Sequence, residues 1–459
     1  MPELVEFSSD DLNALLIAAS GLGILLLVGV SLRALIPLFR RFFIPAALIG
    51  GVIGLVLGPH AIEVIPEVVN NTWASLAGLL ITIVFAPMLL GERLPSVKTA
   101  AREAAPHVFY SYFSSFAAIA VPALLTFFIF QPAFGTNALF STIVEVSWPG
   151  GHGTAAGMDE SYTALGWDDG SSLALGAATV GLIFGILVGM TMLNIAARKG
   201  LLVNYKPGDN GLASDIVDVA ESRVESRSRL RRTSLDNLAF HFALIAVAIL
   251  IGYAIKYFVD QLITGVPLFP LAMIGGLIIH VILVRTPIYQ LVDKGTLNAI
   301  VGIALDFLIV AAVASVSIPV VLDNWIPLVV TMLIAAVMSV GIFYYIGPRI
   351  FREHWVENSI VNFGSMTGVA SVGLMLLRAA DPDLKTNAFR GYALRAPFAS
   401  PFVGGGLITA LFPILAVQYG NLWLGLGCLA VCIALVILAK ATGMWRKPLP
   451  KTKTVHAEH

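Results

Sequence analysis

The chain has 459 residues, of which 58% are hydrophobic and only 12% charged, about half the charged share of a soluble domain. Its 28 basic residues balance its 28 acidic ones, so no excess of positive charge points to a nucleic-acid partner. The composition is that of an integral membrane protein, and Cys428 and Cys432, four apart in an apolar run, suit one helical face better than a disulfide or a zinc site.

The N-terminus carries Glu3, Glu6, Asp10 and Asp11 where a cleavable signal would be basic, so the first helix is expected to stay and to leave the N-terminus outside. Apolar runs of roughly 16 to 27 residues predict about eleven spans. In the first half they fall near 12–32, 44–59, 73–91, 106–130 and 171–197. In the second they fall near 237–259, 267–284, 296–318, 326–347, 391–417 and 421–443. Two further stretches, 139–162 and 358–378, read as re-entrant hairpins. Each is interrupted by glycines, at Pro149-Gly150-Gly151 and at Gly364 to Gly368. Irregular backbone at membrane depth survives only where protein or a watery cavity covers it.

The charges test this arrangement. With both hairpins re-entrant, every Lys and Arg of the 28 except Lys256 falls in an inner loop or at an inner helix end, as the positive-inside tendency requires. The C-terminus is then cytoplasmic. The expected organisation is a first repeat over 1–197, a cytoplasmic linker over 198–236, a second repeat over 237–417, and an additional helix with a basic tail over 418–459. A solvated linker is the simpler reading of Arg227, Arg229, Arg231 and Arg232, against a lipid-headgroup site.

The two halves share a pattern. Pro45-Ala46-Ala47-Leu48-Ile49-Gly50-Gly51-Val52-Ile53-Gly54 matches Pro270-Leu271-Ala272-Met273-Ile274-Gly275-Gly276-Leu277-Ile278-Ile279 at six of ten positions. The number of elements between them gives the halves opposite orientation, the inverted-repeat arrangement of alternating-access carriers. Small-residue helix packing alone is the competing explanation.

Thr154 and Thr367 read as caps where half-helices restart, with exposed N–H groups that suit an anion. Gly150, Gly151, Gly153, Gly364 and Gly368 permit close backbone approach, either to a ligand or between the hairpin arms. Ser365 belongs to the polar set around the second break, with Asn358, Asn362, Ser371, Asn387 and Ser400, which either lines a cavity or satisfies broken backbone. His152 lacks a second ligand at metal spacing and reads as a backbone partner. Asp306 falls mid-span, Thr82 is its counterpart in the repeat alignment, and Glu145 precedes the first break by one turn. Together they form a candidate sodium-ligand set, although either carboxylate could carry a proton instead. Arg378 and Arg395 flank the second hairpin, where carboxylate recognition competes with snorkelling to headgroups.

Gly150-Gly151-His152-Gly153-Thr154, followed by small residues, resembles the first-hairpin motif of the sodium/glutamate symporter family of bacterial inner-membrane carriers. The resemblance spans roughly residues 10 to 417 and leaves the last helix outside. It implies inverted five-helix repeats with paired hairpins, sodium-coupled uptake of L-glutamate, dimerisation, and a carrier, not an enzyme. The second motif departs: Gly368-Val369-Ala370 follows Thr367 where the family has Ala-Thr-Pro, and Arg395 stands where an apolar residue is expected. Competing functions are a sodium- or proton-coupled carrier of another organic anion, and a passive anion channel.

Overall fold

A computed structural model describes residues 8–41, 44–91, 103–203, 236–382 and 384–447. Every regular element among them is helical, and nine helices are long and apolar enough to cross a membrane. The linker from 204 to 235 and the tail from 448, with the arginines expected there, lie outside the described residues.

The helices are α1 (Ser9–Leu35), α2 (Ala46–Leu57), α3 (Glu67–Phe85) and α4 (Ala105–Phe134). The first hairpin follows as a 3-10 turn, Ala138–Thr142, then α5 (Ile143–Ser147), α6 (Gly151–Gly157) and α7 (Asp159–Ala164). After it come α8 (Gly170–Arg198), α9 (Asn237–Val259), α10 (Leu268–Leu283), α11 (Lys294–Ala314) and α12 (Trp325–Tyr345). Last are α13 (Trp355–Ala380), α14 (Ala388–Ala399) and α15 (Leu407–Ala441). Local chemistry sets the starts. Ser8 and Asp11 form a reciprocal cap on α1, with N···O distances of 3.0 and 3.1 Å. Asp293 accepts from the Thr296 N–H at 2.9 Å to start α11.

Two groups of helices result. In the first, α1 packs on α2, α9 on α10, and α11 on both α2 and α3. The paired Gly-Gly stretches explain this: Gly50 leaves no room for a side chain against the Leu25 carbonyl of α1, and Gly51 none against Val313 of α11. In the other half Gly275 meets the Ala248 carbonyl of α9, and Gly276 the Ala86 carbonyl just past α3. Each stretch therefore grips its own preceding helix and the third helix of the other half. The second group gathers α4, the first hairpin, α8 and α12 to α15. The groups meet where Gly153 of α6 is held between Ile81 of α3 and Leu308 of α11.

Two of the long helices are not continuous. In α13, Gly368 (φ −152°, ψ 38°) and Val369 (φ 62°, ψ 174°) break the helix, and the chain doubles back so that Gly364 lies against the Gly373 backbone. In α15, Gly420 (φ 77°) separates two arms, which matches the expected boundary between the spans near 391–417 and 421–443. The 391–417 stretch itself is corrected: α14 ends at Ala399, and Ser400 to Gly406 form an irregular passage before α15 starts. Gly404 and Gly405 there hold φ values of 70° and 103°, a region that a helix cannot use.

Candidate functional site

Three interruptions of helix converge. At the first, Trp148 to Gly150 turn the chain and Gly151 takes φ 67°. Its arms are closed by a hydrogen bond of 2.9 Å between Thr142 Oγ1 and Tyr162 Oη, and Trp148 Nε1 points to Met332 Sδ at 3.2 Å. Gly151 packs against Val369, the tip of the second break. Gly404 and Gly405, in the third, lie against Pro149, Gly150 and the Thr154 hydroxyl. Val369 is a β-branched residue in backbone space used almost only by glycine, an arrangement that costs roughly 1–3 kcal/mol and tends to mark functional tips.

Beside this meeting point lies Glu145 of α5, with no exposed surface. Its Oε1 accepts from the Gly404 N–H and from Thr409 Oγ1, both at 2.9 Å, and the Gly405 N–H donates to the same threonine oxygen at 3.1 Å. This carboxylate therefore pins the third break to the first hairpin. Its Oε2 is buried with no hydrogen-bond partner, and Ser115 of α4 faces it without closing a hydrogen bond. A hollow of about 20 Å³ separates the two hairpins, lined by Ser114, Trp148, Pro149, Ser339, Phe363 and Met366. That is room for one water molecule.

The other candidates divide. Gly150, Gly151, Gly368 and Thr154 stand at the convergence, but Thr154 lies inside α6, which restarts at Gly151, so it does not cap that arm. Thr367 ends the first arm of α13 instead of starting the second. Its hydroxyl donates back to the Phe363 carbonyl at 2.9 Å, as side chains do at the last turn before a break. His152 turns away from the break and bonds Thr179 Oγ1 of α8 at 3.0 Å, a side-chain partner where a backbone one was expected. Gly364 serves close packing of the two arms. Ser365 donates to the Val361 carbonyl and meets Tyr392 Oη, both at 2.7 Å. Arg395 is buried at 5% exposure, with Nη1 donating to Ser111 Oγ at 2.8 Å.

Asp306 and Thr82 do not join Glu145. Asp306 lies on the exposed face of α11, beside Ile303 at 61% exposure. Thr82 is buried and lines a separate cavity of about 450 Å³ with Ser75, Asp159, Glu160 and Tyr253. Burial also corrects the alignment of the halves. The inward series Trp73, Ala77, Ile81, Phe85 on α3 matches Ile300, Ala304, Leu308, Ala312 on α11, which puts Asp306 opposite exposed Leu79, and Thr82 opposite Ile309. Among the described residues no group of three acidic, His or Cys side chains is placed to hold a metal.

The sequence reading missed the third break and the buried series His107, Ser111, Ser115 on α4. Their four-residue spacing in an apolar helix was the available signal. His107 Nε2 meets Asn358 Oδ1 at 3.0 Å and its Nδ1 meets Asn362 Nδ2 at 2.7 Å, so two members of the polar set around the second hairpin hold a histidine.

A polytopic helical protein with interrupted helices meeting at a buried carboxylate has the architecture of secondary transporters. The family model of the sodium/glutamate symporter matches residues 10–353, and the chain belongs to that family. No curated protein matches the chain. The match stops short of the 417 expected from the motifs, so α13, α14 and α15, which supply two of the three breaks, lie beyond it.

Proposed function

We propose that the protein is a sodium-coupled symporter that takes up L-glutamate or a related carboxylate by alternating access. In this reading α4, the hairpins, α8 and α12 to α15 travel, elevator-like, along a frame of α1 to α3 and α9 to α11. The observation that carries it is Glu145, a fully buried carboxylate with one oxygen satisfied by the third break and the other without a donor. Such an oxygen is costly in an apolar interior until a cation or proton completes it. Sodium is the coupling ion that the family implies, and Glu145 with Ser115 are the groups placed to hold it. A bound cation neutralises the carboxylate, so its arrival favours the packed meeting of the three breaks.

Further support comes from the ends of the bundle. Lys256, the basic residue left outside by the charge count, pairs with Glu160 at 3.3 Å. At the other end Arg390 pairs with Glu103 at 2.8 Å, and the Arg446 N–H donates to the Arg349 carbonyl. These pairs suit hairpins whose outer ends lie at opposite ends of the bundle, and the proposal takes the halves as inverted repeats with an outer N-terminus and a cytoplasmic C-terminus in a bacterial inner membrane. The protein is read as a homodimer and as a carrier, not an enzyme.

Purified protein in liposomes tests the proposal: labelled glutamate should accumulate above its external concentration only under an inward sodium gradient. Flux that merely follows its own gradient supports the channel. A second reading, proton coupling at Glu145, is favoured by its sparse oxygen shell, Ser115 being the nearby hydroxyl not already bonded to it. Accumulation driven by an inward pH gradient without sodium would establish that reading instead.

A further inference from the structure

A buried polar seam runs along α4 from one end of the bundle to the carboxylate. It opens in a cavity of about 810 Å³ whose walls include His107, Asn358 and Gly391, with Arg352, Lys385 and Arg390 outnumbering Glu103 and Glu353 around it. From there His107, Ser111 and Ser115 follow at four-residue spacing on one face of α4. Opposite them stand Asn358, Asn362 and Ser365 of α13, and Tyr392 and Arg395 of α14. All eight are buried. Ser111 holds Arg395, Ser115 faces Glu145, and so the seam links the cavity to the site.

Arg395 decides what the seam can pass. Its guanidinium lies 4.2 Å from the Tyr392 ring centroid, its Nη1 donates to Ser111, and its Nε is buried with no hydrogen-bond partner. No acidic side chain among the described residues pairs with it. An uncompensated guanidinium in a low-dielectric passage repels cations and attracts anions over several ångströms, and arginines bar cations from pores in this way. We propose that the seam is the inner exit route of the carboxylate substrate, with Arg395 as a transient anion site between Glu145 and the cytoplasmic cavity. The coupling cation must leave by another way. The inference rests on the function proposed above for which end is cytoplasmic and for the substrate being an anion, but not on sodium coupling.

The test uses the full chain in liposomes with Cys428→Ser and Cys432→Ser, and Ser365→Cys as the reporter. Modification rates by an anionic sulfonatoethyl methanethiosulfonate and its cationic trimethylammonium analogue are compared, both added from the side of Arg390. The anionic reagent should react faster by roughly tenfold or more, the preference should fall to parity in Arg395→Gln, and Arg395→Lys should retain it. Equal rates with Arg395 present, faster reaction of the cationic reagent, or no reaction with either overturns the proposal. Absence of sodium-driven glutamate accumulation alongside a preserved anion preference would instead remove the coupling proposal and leave the seam standing.

Discussion

Asp306 falls mid-span and Glu145 one turn before the first break, and their surroundings separate the two carboxylates completely. Glu145→Gln keeps the shape and an acceptor for Gly404 but removes the charge that a cation would meet. Sodium-dependent uptake should fall by roughly 100-fold, the scale of a lost buried charge partner, with membrane insertion unchanged on a fluorescence-detected sizing column. Asp306→Asn lies on the outer face of α11, and its sodium dependence of uptake should match the parent; a shift in sodium affinity would return Asp306 to the site. The sequence marked both as costly in lipid but not which face each occupies. Hydropathy does not fix helix phase, and each residue of slip turns a side chain by about 100°; Thr82 was paired with Asp306 where burial pairs Leu79, three positions earlier.

At the scale of elements, the first two breaks were legible because their glycines interrupt helical segments long enough for only half a bilayer. Ser400 to Gly406 lies inside a stretch read as one span because apolar residues flank it on both sides, and composition alone does not report φ; the three consecutive glycines at Gly404 to Gly406 were the overlooked sign. This passage should be intolerant of side chains. Gly405 holds φ 103° and faces the Thr154 hydroxyl, so Gly405→Ala adds strain of about 1–3 kcal/mol and should lower the thermal midpoint measured by tryptophan fluorescence. The control is Gly427→Ala, since Gly427 has nothing within 4 Å of the added carbon, and its midpoint should stay within a degree or two. The two arms of the first hairpin are joined by the side-chain bond between Thr142 and Tyr162. Tyr162→Phe should cost about 1 kcal/mol and show as faster hydrogen exchange confined to 138–164.

For the whole molecule, an expected sidedness was readable from charge, since the loops assigned to one face collected nearly all the Lys and Arg. The grouping of helices into a frame and a second body was not, because it depends on which glycines face which backbones. Cysteine labelling checks sidedness: Glu160→Cys should react with an impermeant maleimide from outside and Arg390→Cys from inside, and the reverse pattern would invert the topology. Gly153 sits between Ile81 and Leu308, one side chain from each half of the chain. In the proposed elevator motion, a body that shifts past two aliphatic surfaces meets least friction where it presents no knob to either, as a smooth shaft turns between paired rollers. A methyl group there acts as a wedge: Gly153→Ala should leave ligand-dependent thermal protection in place while turnover slows at least tenfold, separating the capacity to hold a solute from the freedom to carry it.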